Sequence, residues 1–153
     1  MRAVDDVLLD LLRDEAAPLV IHDGRAEPTQ IDDVDNNTVE YELPYAVFTS
    51  NIGDDHSTGN SRRLAGGSTR RSVFFVLLYV GLDRRQAKWA GERMRDVLVD
   101  RRLVIPGHRT WLVELEESQR IRRDDDAPRA DGLPLYYGID HYAVSLTRTP
   151  IQH

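Results

Sequence analysis

The sequence predicts an α+β fold: a mostly antiparallel or mixed β-sheet of about five strands with two α-helices packed on one face. Two stretches, near residues 3–15 and 84–102, have apolar residues at helical spacing. Shorter stretches alternate between apolar and polar residues, or are continuously apolar, as strands do. A polar stretch, "TSNIGDDHSTGNSRRLAGGSTRR" (residues 49–71), separates two of these strands. We therefore expect a long hairpin insert between strands two and three.

The first part of the chain predicts one helix and two strands. Pro18 ends the helix, and "LVIHDG" is a short strand that closes in a turn. Alternate residues from Val39 to Val47 are apolar, which predicts a half-buried strand. Pro44 indicates an edge or a bulge there, because proline has no amide hydrogen to donate to a neighbouring strand. The apolar stripe of the helix comprises Val4, Val7, Leu8, Leu11 and Leu12.

The middle of the chain predicts the central strand and the second helix. The apolar run "SVFFVLLYVG" is typical of a strand covered on both faces, and we expect it at the centre of the sheet. Asp83 is the expected N-cap of the helix that follows. Trp89 lies roughly 140° from Met94 around that helix, on the flank that faces water. An exposed tryptophan indicates a contact surface.

The last third predicts two strands separated by a charged turn. "TWLVELEE" places Trp111, Val113 and Leu115 on one face of a strand. "IRRDDDAPRADGLP" is expected to be a turn whose arginines pair with its own aspartates. The closing strand runs from about Leu135 to Thr147. Because no repeat or second apolar core is evident, we expect a single domain over residues 1–153, with a flexible arm at about 51–68.

Composition narrows the possible functions. The chain has 153 residues, a net charge of −6 and no cysteine, which excludes thiol catalysis and thiolate metal sites. We find no nucleophile elbow, phosphate-binding loop or metal-binding histidine pair, so we expect no enzyme activity, no metal and no cofactor. No apolar run is long enough to span a membrane, and we expect no membrane partner.

The charges of the arm are sorted along its length. Hairpin loops usually have two to five residues, and much longer ones are functional or disordered. We expect this arm to become ordered against a partner. Its acidic residues come early and its basic residues late: Asp54 and Asp55, then Arg62, Arg63, Arg70 and Arg71.

Several segments together resemble the tail terminator, or tail completion, proteins of long-tailed bacteriophages of the siphophage type. The resemblance covers nearly the whole chain and rests on patterns of strand, loop and helix. The segments that carry it are "VIHDG", "ELPYAVFTSNIGDD", "STRRSVFFVLLYVGLDRRQAKWAGERMRDVLV" and "RRDDDAPRADGLPLYYGIDHYAVSLTR".

The resemblance implies a structural virion protein of the tail and neck that is assembled in the cytoplasm of the bacterial host. It implies a homo-hexameric ring that caps the tail tube, ends tube polymerisation and offers a joining surface to a head-closure or neck protein. The arm would then contact the tail tube or an adjacent subunit, and genomic DNA would pass through the ring without specific recognition. The candidate subunit-interface residues are Arg84, Arg85, Trp89 and Arg93 on one patch and Asp124, Asp125 and Asp126 on another, since head-to-tail contacts need two different patches.

Three alternatives stay open at the level of the sequence. Another head–tail connector such as a head-closure protein is the first, although that class is typically a small β-barrel. A nucleic-acid-binding module that uses the arginine pairs is the second, and the net charge of −6 argues against it. A small hydrolase is the third, and no constellation of residues supports it.

Overall fold

The computed structural model describes residues 2–26, 30–31, 39–40, 42–50, 70–125 and 133–149. Within these ranges the chain forms two α-helices and eight β-strands. The helices are α1 (Arg2–Glu15) and α2 (Arg84–Leu98). The strands are β1 (Val20–Asp23), β2 (Gln30–Ile31), β3 (Val39–Glu40), β4 (Tyr45–Ser50), β5 (Arg71–Gly81), β6 (His108–Thr110), β7 (Glu114–Asp124) and β8 (Leu135–Arg148).

Six of these strands form one mixed sheet, which confirms the predicted α+β class. The order is β1-β4-β5-β8-β6, and β7 also pairs with β8 on the side away from β5. Only the β1–β4 pair is parallel among the described pairs of this sheet. The β5 strand lies in the interior of the sheet, as its apolar sequence predicts, and β2 pairs separately with β3.

Both helices pack on one face of the sheet and form the main core there. Alternate residues of β5 are buried under the helices, from Val73 to Tyr79. Asp83 is the N-cap of α2, as predicted, and its carboxylate accepts a hydrogen bond of 2.8 Å from the Gln86 amide. The helix ends at Leu98, earlier than the predicted residue 102, because Val99 is extended and Asp100 has a φ of 61°. Within the described residues, no helix is long and apolar enough to cross a membrane.

The predicted strand from Val39 to Val47 is wrong in its extent. The chain instead forms β3 at Val39–Glu40 and β4 at Tyr45–Ser50, with Pro44 just before β4. The β4 strand has neighbours on both sides, so Pro44 does not mark a sheet edge. Both faces of β4 are buried, because Phe48 enters the core under the helices while Tyr45 packs in a second apolar cluster.

The expected coverage of β5 on both faces is also only partly correct. Phe74 is 43% exposed, and Val76 and Leu78 are half-buried. These residues point away from both helices, and the second apolar cluster covers this face only near Val80. An apolar strand sequence therefore does not guarantee that the same chain covers both of its faces.

The charged segment after Glu117 is a strand where a turn was predicted. The β7 strand includes residues 121–124, and Trp111–Val113 lie between β6 and β7 outside the named strands. Most side chains of β7 are exposed, so the strand lacks the alternation that identifies a half-buried strand. The closing strand β8 agrees closely with the prediction, and Tyr142, Val144 and Leu146 are buried on one face.

A buried carboxylate connects α2 to three strands of the sheet. Asp140 on β8 is fully buried and accepts hydrogen bonds from Arg95 of α2 at 2.8 Å (Nε) and 3.0 Å (Nη2). Ser118 of β7 donates to the same carboxylate at 2.7 Å. Tyr79 of β5 and Tyr142 of β8 donate at 3.2 Å and 3.4 Å. A buried charge needs such donors, because an unpaired carboxylate in the interior is strongly destabilising.

The protonation states of the donors suit this network. The hydrogen bond to Asp140 raises the pKa of Arg95 further above its usual value, so Arg95 stays charged. Burial, together with the negative charge of Asp140, raises the pKa of Tyr79 and of Tyr142. Both phenols therefore keep the proton that they donate throughout the neutral pH range.

Two glycines allow α2 to lie against the Tyr79 ring. A Cβ atom at Gly138 would overlap the Tyr79 ring, and one at Gly91 of α2 would lie 2.9 Å from two of its ring carbons. Real Cβ atoms essentially never approach that closely. The ring is thus enclosed between strand and helix, which positions its hydroxyl beside Asp140.

We predict that Asp140→Asn lowers the free energy of unfolding by about 3–5 kcal/mol, because it leaves the Arg95 guanidinium without its carboxylate. Urea denaturation measures the change. The matched control is Glu15→Gln, which breaks the Arg101–Glu15 pair at 2.6 Å, where both side chains are around 40% exposed. Such surface pairs contribute about 1 kcal/mol or less. Equal effects of the two substitutions would contradict the central role of Asp140.

Candidate interaction surfaces

A cationic groove lies between the start of α2 and the second half of β7. Arg84, Arg85 and Lys88 extend from the helix, Arg120 extends from the strand, and Ile121 is the partly buried apolar residue among them. The groove is open and has a volume of about 600 Å³. Its arginines and its lysine come from segments that are far apart in sequence, and only the folded chain brings Arg120 to the helix.

Trp89 lies on the other flank of α2. Its side chain is 40% exposed, which confirms the predicted position facing solvent. Arg93 is directed towards the end of α1, where its Nη2 atom donates a 2.8 Å hydrogen bond to the Ala17 carbonyl. Arg84 therefore lies on the groove side of the helix, Trp89 and Arg93 lie towards α1, and Arg85 lies between them on the outer surface, next to both the groove and Trp89.

The acidic candidate residues lie at the end of β7. Asp124 is half-buried opposite Leu135, and Asp125 pairs with Arg123 at 2.7 Å, as expected for a segment whose arginines pair with its own aspartates. Asp126 lies outside the described residues. Arg123 is also opposite Tyr136, and the Arg84 guanidinium lies 5.8 Å from the centre of that ring. Asp125 and the Arg84 end of the cationic groove are therefore close together within one subunit.

The arm itself, including Asp54, Asp55, Arg62 and Arg63, lies outside the described residues, but its two ends are described. At one end β4 stops at Ser50, opposite Phe75. At the other end the Arg70 guanidinium lies 4.3 Å from the centre of the Trp111 ring. The Arg109 guanidinium lies 5.7 Å from the same ring. Arg71 begins β5 and is half-buried.

Trp111 is thus a shared contact for two arginines. A guanidinium over an indole face is attracted by the ring quadrupole, with an energy of about 0.5–1 kcal/mol at an exposed site. The contact holds the end of the arm against the segment between β6 and β7. The alternation of "TWLVELEE" indicated that Trp111 faces one side of a strand, but it carried no signal for its arginine partners.

A surface that sequence reasoning missed is on the sheet. We call it the open face: Phe74, Val76 and Ala143, which point away from both helices, bordered by Glu114 and Glu117. Register places Phe74, Ala143 and Glu114 in one row across three strands. The next row contains Val76 and Glu117, with His141 between them. Directly paired residues of antiparallel strands share a face, so the carboxylates border an apolar centre.

The titratable groups with shifted pKa values lie away from the cationic groove and the open face. The groups with raised pKa in the sheet are Tyr79 and Tyr142, which belong to the buried Asp140 network. Burial also raises the pKa of Asp5, against the opposing effect of its hydrogen bond with Ser50. Among the described residues, no three His, Asp or Glu side chains are grouped as a metal site requires. The surfaces instead offer cations, carboxylates and exposed aromatic rings.

Comparison with known proteins identifies a shared fold. No protein-family model matches the chain, and no curated protein matches it. Among solved structures, it is similar to a chain of the "Virion of native gene transfer agent (GTA) particle", with a TM-score of 0.62 and 13% sequence identity. The alignment covers 95% of this chain and 96% of that chain. At this identity the likeness shows that the two chains share a fold over nearly their whole lengths.

Proposed function

We propose that this protein is a structural virion protein of the tail terminator type. Six copies form a ring that caps the tail tube, ends tube polymerisation and provides the joining surface for the head or neck. Its partners are further copies of itself, the tail tube protein and a head-closure or neck protein. The activity consists of binding and needs no catalytic turnover or cofactor. Genomic DNA passes through the ring, which is assembled in the bacterial cytoplasm.

The single observation that carries this proposal is the fold shared with a chain of a virion particle over 95% of the present chain. The sequence resemblance to tail terminators is independent of that comparison and covers the same length. The surfaces fit a protein that acts by assembly, since Trp89 and Phe74 are both at least 40% exposed on opposite sides of the subunit. Large exposed apolar groups mark interaction sites more often than scattered small ones do.

Another head–tail connector is the alternative within the same class. A head-closure protein is typically a small β-barrel, whereas this chain has an open six-stranded sheet with two helices on one face. The two functions differ in whether the protein controls the length of the tail tube. Electron microscopy of tails assembled without this protein distinguishes them, because loss of a terminator gives tubes of irregular length, whereas loss of a head-closure protein gives tails of normal length.

We predict that the purified protein, or the protein bound to tail tubes, forms a six-fold ring. Native mass spectrometry measures the number of subunits, and electron microscopy of the neck measures the symmetry. Six subunits are expected from the resemblance to tail terminators, and identical subunits in head-to-tail contact can close into such a ring. A monomer in both states would contradict the proposal.

We predict that Trp89→Ala weakens subunit association more than it lowers the stability of the monomer. Tryptophans in interfaces often contribute 2 kcal/mol or more, roughly a thirtyfold change in the dissociation constant. Sedimentation measures association, and urea denaturation of the dilute monomer measures stability. Leu112→Ala is the matched control, since Leu112 is 42% exposed and Trp89 is 40% exposed. Equal losses in both measurements would place Trp89 in an ordinary contact within its own subunit.

We predict that deleting residues 54–67 leaves the fold intact and disturbs tail length or head joining. Shortening the connection between β4 and β5 in this way lowers its closure cost by about 1 kcal/mol, so the monomer is not destabilised. Circular dichroism checks the fold, and microscopy measures the length of tails and their attachment to heads. Normal tails that still join heads would show that the arm is dispensable.

A further inference from the structure

Among the described residues, helices cover only one face of the six-stranded sheet. The β5 strand is apolar on both faces, yet Phe74 remains 43% exposed and Val76 half-buried on the side away from the helices. An apolar sheet face is stable when another layer covers it. The second apolar cluster provides such a cover around Tyr45 and Val80, at the other end of the same face. The open face therefore has the character of a layer that is only partly covered within one subunit.

The outer surface of α2 has matching properties. We call it the helix outer face: Arg85, Lys88 and Trp89, all of which are exposed. Trp89 supplies a large apolar group, and the two cations lie next to it on the helix surface. Lys88 is only loosely paired, because its Nζ atom lies 3.9 Å from the Glu92 carboxylate in a pair whose side chains are more than half exposed. Exposed pairs of this kind are weak and exchange readily with other partners.

The two surfaces complement each other in charge. The open face has an apolar centre with the carboxylates of Glu114 and Glu117 along the β7 side. Both glutamates are exposed, and neither has an ion pair with another described residue. The helix outer face has an apolar tryptophan beside two cations. An aromatic anchor on an apolar patch, bordered by opposite charges, is the usual composition of a specific protein interface.

We propose that the open face of one subunit receives the helix outer face of a second copy of this chain. The inference rests on the proposed function, because it identifies the two patches through which the ring closes. The surfaces lie on opposite sides of the subunit, separated by the sheet and by a helix about 10 Å in diameter. They cannot meet their counterparts in one two-fold contact, so the contact is head-to-tail, and such a contact closes into a ring when the rotation between neighbouring subunits allows it.

The contact also differs from the pairing of arginines with Asp124–Asp126 that the sequence suggested. Asp125 lies near Arg84 in the same subunit, because it pairs with Arg123, which is opposite Tyr136, and the Arg84 guanidinium lies 5.8 Å from the centre of the Tyr136 ring. Glu114 and Glu117 instead lie on the opposite side of the sheet from the helices. They border the open face, to which the helix outer face of a neighbouring subunit is proposed to bind.

Paired charge reversals test this contact. A helix variant carries Arg85→Glu and Lys88→Glu, and a sheet variant carries Glu114→Lys and Glu117→Lys. Each variant places like charges against its partner, so we expect the dissociation constant for self-association to rise on the order of a hundredfold. Matched controls are Arg102→Glu and Glu42→Lys, which reverse exposed charges elsewhere and leave association unchanged. Thermal denaturation confirms that every variant folds.

Mixing the two variants gives the sharpest result. The helix variant keeps an intact open face, and the sheet variant keeps an intact helix outer face. Both contacts between unlike molecules are then complementary, one with the original charges and one with the exchanged charges, so an equimolar mixture restores the larger assembly that neither variant forms alone. Combining all four substitutions in one chain restores the larger assembly, because the charges are exchanged across the same contact. Analytical ultracentrifugation measures both outcomes.

Other results overturn the inference in distinguishable ways. A wild-type ring that persists in both variants would reject this contact and leave the proposed function intact. A wild-type protein that remains monomeric, alone and on purified tail tubes, would reject both proposals. A helix variant that keeps the ring but loses binding to a short DNA duplex would assign the cations of α2 to nucleic acid instead.

Discussion

The fold depends on the buried carboxylate of Asp140. It lies on β8 and receives hydrogen bonds from α2, β5 and β7, so one charge connects the helix layer to three strands. Apolar contacts between the helices and the sheet are not directional. The Arg95 guanidinium, in contrast, must be correctly oriented to reach the Asp140 carboxylate at 2.8 Å. We infer that this pair determines where α2 lies on the sheet, with Gly91 and Gly138 allowing the close approach around Tyr79.

Placing both helices on one side has a consequence for function. The same packing that buries Phe75 and Leu77 leaves Phe74 and Val76 on the opposite side of β5. A protein of this size buries enough surface to fold alone, so the remaining apolar surface is available for assembly. The proposed head-to-tail contact uses this asymmetry directly, because it needs two different surfaces on opposite sides of one subunit.

Several features of the fold were predictable because they depend on local chemistry. The spacing of apolar residues identified α1, α2 and β8, and the carboxylate of Asp83 identified the start of α2. The β7 strand was missed because most of its side chains are exposed, so its charged sequence resembles a turn. Among the candidate site residues, the exposure of Trp89 followed from helix geometry. The position of Arg120 in the same groove as Arg84 could not be predicted in this way, because the groove is formed between α2 and β7.

The sequence by itself determined the α+β class, the interior position of β5 and the absence of cysteine chemistry, because these follow from periodicity and composition. Tertiary structure alone decided which face of β5 the helices cover, since both faces of that strand are apolar. It also brought Asp140 to Arg95 across 45 positions of the chain. The open face exists for the same reason: strand register sets Phe74 beside Ala143 and Glu114, and register arises from pairing between distant segments.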